Sequence, residues 1–209
     1  MESEGTRSFE IPPSKILAGI DKISLQTGIK SFVIFGSSSN IVYNKHRIRS
    51  LPEFLRKTKD VDLTTNRETP TGASFALEQE AVKTVFKKFG EDSPFKTANK
   101  FYFELTSPWT VKVAPEGWEA RAKSLITEAG VEVKIINPID CAALKLAVGR
   151  PKDITWLANC FAAKLFTPKQ LEKHVTGHTR YAEFKDDIAK NLKLAAISGK
   201  KLSQNRERD

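Results

Sequence analysis

Phe32-Val33-Ile34-Phe35-Gly36-Ser37-Ser38-Ser39 is the stretch that decides the fold. Four consecutive large apolar residues rich in β-formers read as a strand buried on both faces, since a half-exposed strand would alternate polar and apolar positions. Such a strand belongs at the centre of a sheet. Gly36 ends it, and the serines open a helix. A glycine followed by serines at a helix start offers backbone N–H groups and hydroxyls to a phosphate, and the missing Cβ lets a ligand approach the backbone. Gly36, Ser37 and Ser38 are therefore candidate phosphate contacts; a plain strand-to-helix turn with a serine cap explains the same residues equally well.

Upstream, apolar positions Ile16, Leu17, Ile20, Ile23 and Leu25 recur near the helical period and predict a helix over Pro13 to Thr27. Downstream, Asn44 to Lys59 is strongly basic (Lys45, Arg47, Arg49, Arg56, Lys57, Lys59) and contains Pro52, so it reads as an excursion with one short helix. A strand over Val61 to Thr65 follows, then a turn-rich linker, Asn66 to Gly72. Next comes a helix whose apolar stripe runs Phe75, Leu77, Ala81, Val82, Val85, Phe86, Phe89. Between Lys100 and Val113, Phe101, Phe103 and Leu105 alternate with Tyr102, Glu104 and Thr106, the mark of a strand or hairpin with one polar face. Glu119 to Ala129 reads as a short helix ending at Gly130, and Val131 to Ile136 as a last strand.

From Pro138 the pattern turns helical: Ile139 to Val148, Pro151 to Phe166, Pro168 to Val175 and Tyr181 to Ile197, with Pro151 and Pro168 at first-turn positions. The expectation is an α/β fold: a mixed-sheet core over 1–137, a helical C-terminal part over 138–199 packed on it, and a frayed polar tail over 200–209.

The chain has 209 residues, 40% hydrophobic and 28% charged, which is enough for a hydrophobic core and excludes a disordered or fibrous class. Cys141 and Cys160 lack metal-site or disulfide spacing and read as buried thiols in a reducing compartment. The N-terminal residues are polar and carry no signal-like apolar run, and no stretch is long enough to cross a bilayer, so the cytoplasm is the expected compartment and no membrane partner is expected. Net charge +9 makes a polyanion a natural partner, although solvated lysines give the same pI.

Lys59-Asp60-Val61-Asp62-Leu63 carries the clearest chemistry. On a strand, i and i+2 share a face, so Asp60 and Asp62 stand side by side while Val61 and Leu63 enter the core. Adjacent carboxylates repel unless a cation lies between them, and hard oxygen ligands suit Mg2+. A solvated strand face is the alternative. Glu104 completes a three-acid metal and catalytic set, suited to phosphoryl or nucleotidyl transfer, if its strand lies beside the aspartates; a solvent-facing glutamate fits the alternation too. Lys145 is the lone charge in Cys141 to Val148 and must reach water or an anion. Beyond it, Arg150, Lys152 and Asp153 form a dense charged group fitted to grip a triphosphate, or else a solvated helix start.

Together these residues resemble the nucleotidyltransferase fold of the DNA polymerase β superfamily, through Gly36-Ser37 followed by Asp60-Val61-Asp62. Thr58 to Leu63 and Ala143 to Asp153 are similar to the AbiEii-type toxin-like nucleotidyltransferases of bacterial and phage defence systems, and the matching stretches run from about Phe32 to Leu165. The resemblance implies a Mg2+-dependent enzyme that moves a nucleotidyl group from an NTP to a hydroxyl of RNA (a tRNA among them) or protein, with an antitoxin as partner. It assigns nucleotide and metal binding to Gly36, Ser37, Asp60 and Asp62, with Lys145 and Asp153 in support. Two departures stand out: the long basic interval between Ser37 and Asp60, and Trp156 where such proteins often place another aspartate. The rival reading keeps the fold without the chemistry, as a basic module that binds nucleic acid or a partner through Lys45 to Lys59.

Overall fold

The computed structural model describes residues 9–65, 73–106 and 113–206, and of residues 73–75 and 206 the backbone alone. The expected linker Asn66 to Gly72, the Phe75 side chain and the end of the alternating stretch at 107–112 lie outside the described residues.

Five strands form one mixed sheet in the order β5-β4-β2-β7-β6, built from β2 (Ser31–Phe35), β4 (Asp60–Thr65), β5 (Tyr102–Thr106), β6 (Lys123–Ile126) and β7 (Glu132–Ile135). The expected central strand is central. β2 pairs antiparallel with β4 and parallel with β7, while β4 and β5 run parallel. A separate pair, β1 (Phe9–Glu10) with β3 (Lys57–Thr58), ties the chain start to the basic excursion.

The period of two along β2 divides the interior into two cores. Phe32 and Ile34 face one side, with Val61, Leu63, Phe103 and Leu105, beneath α1 (Pro13–Thr27) and α4 (Ala73–Phe89). Val33 and Phe35 face the other, against Cys141, Leu146, Trp156 and Leu157 of α7 (Pro138–Val148) and α8 (Pro151–Ala162). The sheet is thus a middle layer between helices. Asp60, Asp62 and Glu104 alternate with the first set and therefore face the α7–α8 side.

α2 (Gly36–Tyr43) leads into the basic excursion, Asn44 to Lys59, which holds a 3-10 turn (Lys45–Ser50), α3 (Glu53–Arg56) and β3. Several of its cations already face acids, Arg56 with Glu10 at 3.1 Å, Lys59 with Glu91 at 3.8 Å and Lys57 with Glu53. α5 (Pro94–Asn99) precedes β5.

Five expectations need correction. Glu119 to Ala129 is not one helix: a single turn, α6 (Trp118–Arg121), gives way to β6, antiparallel to β7. Gly130, at φ 75°, belongs to the hairpin turn, where Thr127 N–H donates to Val131 O at 2.9 Å. As a mostly exposed edge strand, β6 has no buried stripe to announce it. The helix expected to reach Phe166 stops at Ala162, with Phe166 turned back onto Phe161 edge to face. After α9 (Pro168–Thr176), a 3-10 turn (Thr179–Phe184) replaces the start of the last predicted helix. α10 (Lys185–Arg206), anchored by buried Ile188 and Ala195, then runs into the tail expected to fray as far as Arg206. On α4, Leu77 and Phe86 are exposed, so the true stripe is the narrower Ala81, Val82, Val85, Phe89. Among the described residues, no helix is long and apolar enough to cross a membrane.

Candidate active site

A cavity of about 520 Å³ opens between the sheet edge and α7–α8. It brings together Gly36, Ser37, Asp60, Asp62, Glu104, Lys145, Arg150 and Lys152 from positions more than a hundred residues apart. Two predicted residues stay out of it. Ser38 is fully buried and its hydroxyl donates to Phe35 O at 3.1 Å, closing its own turn. Asp153 is fully buried beneath the cavity and reaches it only through other side chains.

Gly36 has φ 67°, and a Cβ built there would overlap the Asp62 carboxylate. Glycine is required twice over, by backbone conformation and by contact. The contact packs the Asp62 carboxylate against the Gly36-Ser37 turn. Register explains the rest: Asp62 is the partner of Phe35 on one side and of Glu104 on the other. The pairing unreadable from sequence therefore sets Glu104 beside Asp62 on the same face.

Asp60 accepts a hydrogen bond from Thr58 Oγ1 at 3.0 Å. Asp62 accepts none among the described residues; burial and then the Asp60 carboxylate push its pKa up to about 7, Glu104 adds to this, and Lys145 and Lys152 oppose it. Among the described residues no group of three or more His, Cys, Asp or Glu side chains is arranged to hold a metal ion. The three acids thus share a face and a cavity without converging on one point.

Opposite them, Lys145 Nζ lies 3.1 Å from Asp153 Oδ1 and 5.3 Å from the centre of the Trp156 ring. Burial works against its charge, but Cys141, Asp153 and Asp62 outweigh that and hold its pKa above the ordinary lysine value. Arg150 Nε donates to Asp153 Oδ2 at 2.6 Å. Burial pushes the Asp153 pKa up, and the hydrogen bonds from Arg150 and Lys145 more than reverse it, so the carboxylate stays charged. Trp156 supplies the ring beneath Lys145.

Sequence reading missed Phe54, Lys57, Thr58, Lys59, Val113, Cys141, Leu144 and Val148 in the wall. Lys57 to Lys59 were signalled by adjacency to Asp60. Phe54, Val113 and Val148 are exposed apolar residues at the rim, which no periodicity marks. Both cysteines are buried and free, as expected, and Cys141 Sγ donates to Gly36 O at 3.1 Å, with burial raising its pKa to about 11.

A mixed α/β sheet whose edge joins a glycine-serine turn, two strand aspartates and a helical lysine in one cavity is the arrangement through which the sequence resembles nucleotidyltransferases. The chain belongs to the family described as nucleotidyltransferase of unknown function, DUF6036, which it matches over residues 14–203. No curated protein matches it. Among solved structures it is similar to an antigenic nucleotidyltransferase-like protein from Paracoccidioides brasiliensis, at 13% identity over 90% of this chain and 95% of that one, with a TM-score of 0.44.

Proposed function

We propose that the chain is a Mg2+-dependent enzyme that moves a nucleotidyl group from an NTP to an acceptor hydroxyl on RNA or protein. The observation that carries this reading is the Asp62 carboxylate packed against the Gly36-Ser37 turn, with Lys145 across the same cavity. A turn suited to phosphate and acids suited to a divalent cation then serve one substrate.

Asp62 fits such a cation: a half-buried, desolvated carboxylate beside Asp60, without a hydrogen-bond donor among the described residues, gains most from a positive partner. Mg2+ held by Asp60 and Asp62 would draw charge from the phosphates. The acceptor oxygen attacks the α-phosphorus, the bond to the β-phosphate oxygen breaks, and pyrophosphate leaves. Glu104 would take the acceptor proton, or stand as third ligand if it moved toward the aspartate pair. Lys145 and Arg150 offset the charge growing on the phosphate oxygens.

The resemblance to AbiEii-type proteins adds a toxin-antitoxin or defence role, with an antitoxin partner. One observation favours a second reading: the three acids do not converge. A silent member that binds nucleic acid or a partner through its basic excursion would bind in a salt-sensitive way, indifferent to Asp60 and Asp62.

Purified protein incubated with each α-labelled NTP, Mg2+, total RNA and lysate separates the two, with Asp60→Asn/Asp62→Asn run beside it. Label entering RNA or protein with the wild type alone supports transfer. Equal RNA binding by both proteins with no label moved supports the silent module.

A further inference from the structure

A second cavity, about 600 Å³, lies at the other end of α2 and α7 from the site described above. Gly36 and Tyr43 bound α2, and Tyr43 lines this cavity while Gly36 lines the first, so the two are separated by about 10 Å of helix. Arg47, Lys173, His174 and His178 line it together with Tyr43 and Asn137. Among the described residues no carboxylate does. Leu165 and Phe166 give it an apolar wall.

The acids nearest to it are held behind the imidazoles. Asp140 is fully buried, paired with Arg121 Nη2 at 2.7 Å and with His174 Nε2 at 2.8 Å. Burial raises its pKa, but the bonds from His174 and Arg121 outweigh this and keep it charged. An ionised carboxylate only accepts, so Nε2 of His174 carries the proton and the ring is fixed in one tautomer. Glu116 is near His178 but accepts from Thr179 Oγ1 at 3.2 Å. His178 stands edge to face with His174, centroids 5.2 Å apart. Asn137 Nδ2 donates to the Tyr43 hydroxyl at 3.0 Å, and Arg47 Nε to Asn44 Oδ1 at 2.9 Å. The wall thus carries a guanidinium, an ammonium and a positioned tyrosine hydroxyl, and no described carboxylate contributes to it.

We propose that this cavity is a second anion site that takes a phosphate group, separate from the carboxylate cavity. The Arg47 guanidinium and the Lys173 ammonium, with the Tyr43 hydroxyl and the His178 ring beside them, match the several acceptor oxygens of a phosphate better than the two of a carboxylate. The phosphate comes either from a small organic phosphate whose apolar part lies on Leu165 and Phe166 or from the backbone of an RNA strand. The assignment does not rest on the transfer reaction.

The chain has three histidines, two in this cavity and His46 exposed on the 3-10 turn, so the imidazole Cε1–H resonances provide two probes and a control. Inorganic phosphate, AMP and a short RNA are titrated into the full chain. Saturable movement of His174 and His178 with His46 unmoved is expected. Arg47→Ala/Lys173→Ala should weaken it about tenfold or more, the loss of one or two charge-assisted contacts. Lys173→Glu, an exposed change, should do the same, and Asp60→Asn/Asp62→Asn should leave it unchanged. AMP binding as tightly as RNA identifies a small ligand; RNA binding far more tightly, through the same residues, identifies a strand. All three histidines moving together, no saturation, or unchanged binding in both cavity variants overturns the proposal. A transfer-dead enzyme with this binding intact sinks the proposed function alone.

Discussion

Asp153 and Asp62 are both desolvated carboxylates on the same side of the sheet, and their surroundings are opposite. Asp153 has two cations within 3.1 Å and remains charged. Asp62 has Asp60 and Glu104 as neighbours, and its pKa rises to about 7. The first is a satisfied ion pair that positions Lys145 and Arg150. The second is an acid whose charge the protein alone does not balance, the condition found at sites that bind or react. Lys145 links them, since it contacts Asp153 and acts on Asp62 through its charge.

The widest separation between the two should appear in activity. Asp62→Asn keeps the shape and removes the charge, and transfer should fall about a thousandfold or more, roughly 4 kcal/mol of transition-state stabilisation. Initial rates with labelled NTP at saturating Mg2+ measure it; a loss under tenfold would detach Asp62 from the chemistry. Asp153→Asn should instead show itself in stability. Removing one partner of a buried pair leaves Lys145 uncompensated, at about 3 kcal/mol. Urea unfolding followed by Trp fluorescence reads this, and an unchanged midpoint would make the pair incidental.

The same contrast decides what was legible in sequence. Asp60 and Asp62 were readable because a strand places i and i+2 on one face without reference to anything distant. Gly36-Ser37 was readable as a local turn. Glu104 became a neighbour of Asp62 only through β4–β5 register, which no local pattern encodes. Asp153 was found as a charged residue, but its burial beneath Lys145 depends on how α7 and α8 cross, so support was indistinguishable from contact. Ser38 looked equivalent to Ser37 because both follow the glycine; helix phase turned one into the cavity and the other onto Phe35 O. β6 escaped notice because an exposed edge strand carries no hydrophobic signature.

A pH series sharpens the comparison further. The folded pKa of Asp62 lies above its unfolded value, so between about pH 4 and pH 7 the folded state holds the extra proton and stability falls as pH rises. Asp153 has the opposite sign: its depressed folded pKa contributes stability that is lost only as pH falls through the acid range. The Asp62→Asn variant should therefore be more stable than the wild type at pH 8, by about 4 kcal/mol, and about equal to it at pH 4. Thermal unfolding at both pH values tests this. Added Mg2+ should narrow the gap at pH 8 by stabilising the wild type alone.

The smallest effects separate the two serines beside Gly36. Ser38→Ala removes a buried hydroxyl whose one bond is to Phe35 O, so it should lower stability by about 1 kcal/mol and leave the KM for NTP unchanged. Ser37→Ala removes a hydroxyl at the cavity wall, so it should leave stability within about 0.5 kcal/mol and raise KM several-fold, the worth of one hydrogen bond to a charged oxygen. Measured together, the pair tests whether the turn touches substrate or only shapes the strand end. If both variants lose stability and neither moves KM, Gly36-Ser37 is a structural corner, and Asp62 lies against it for packing rather than for phosphate.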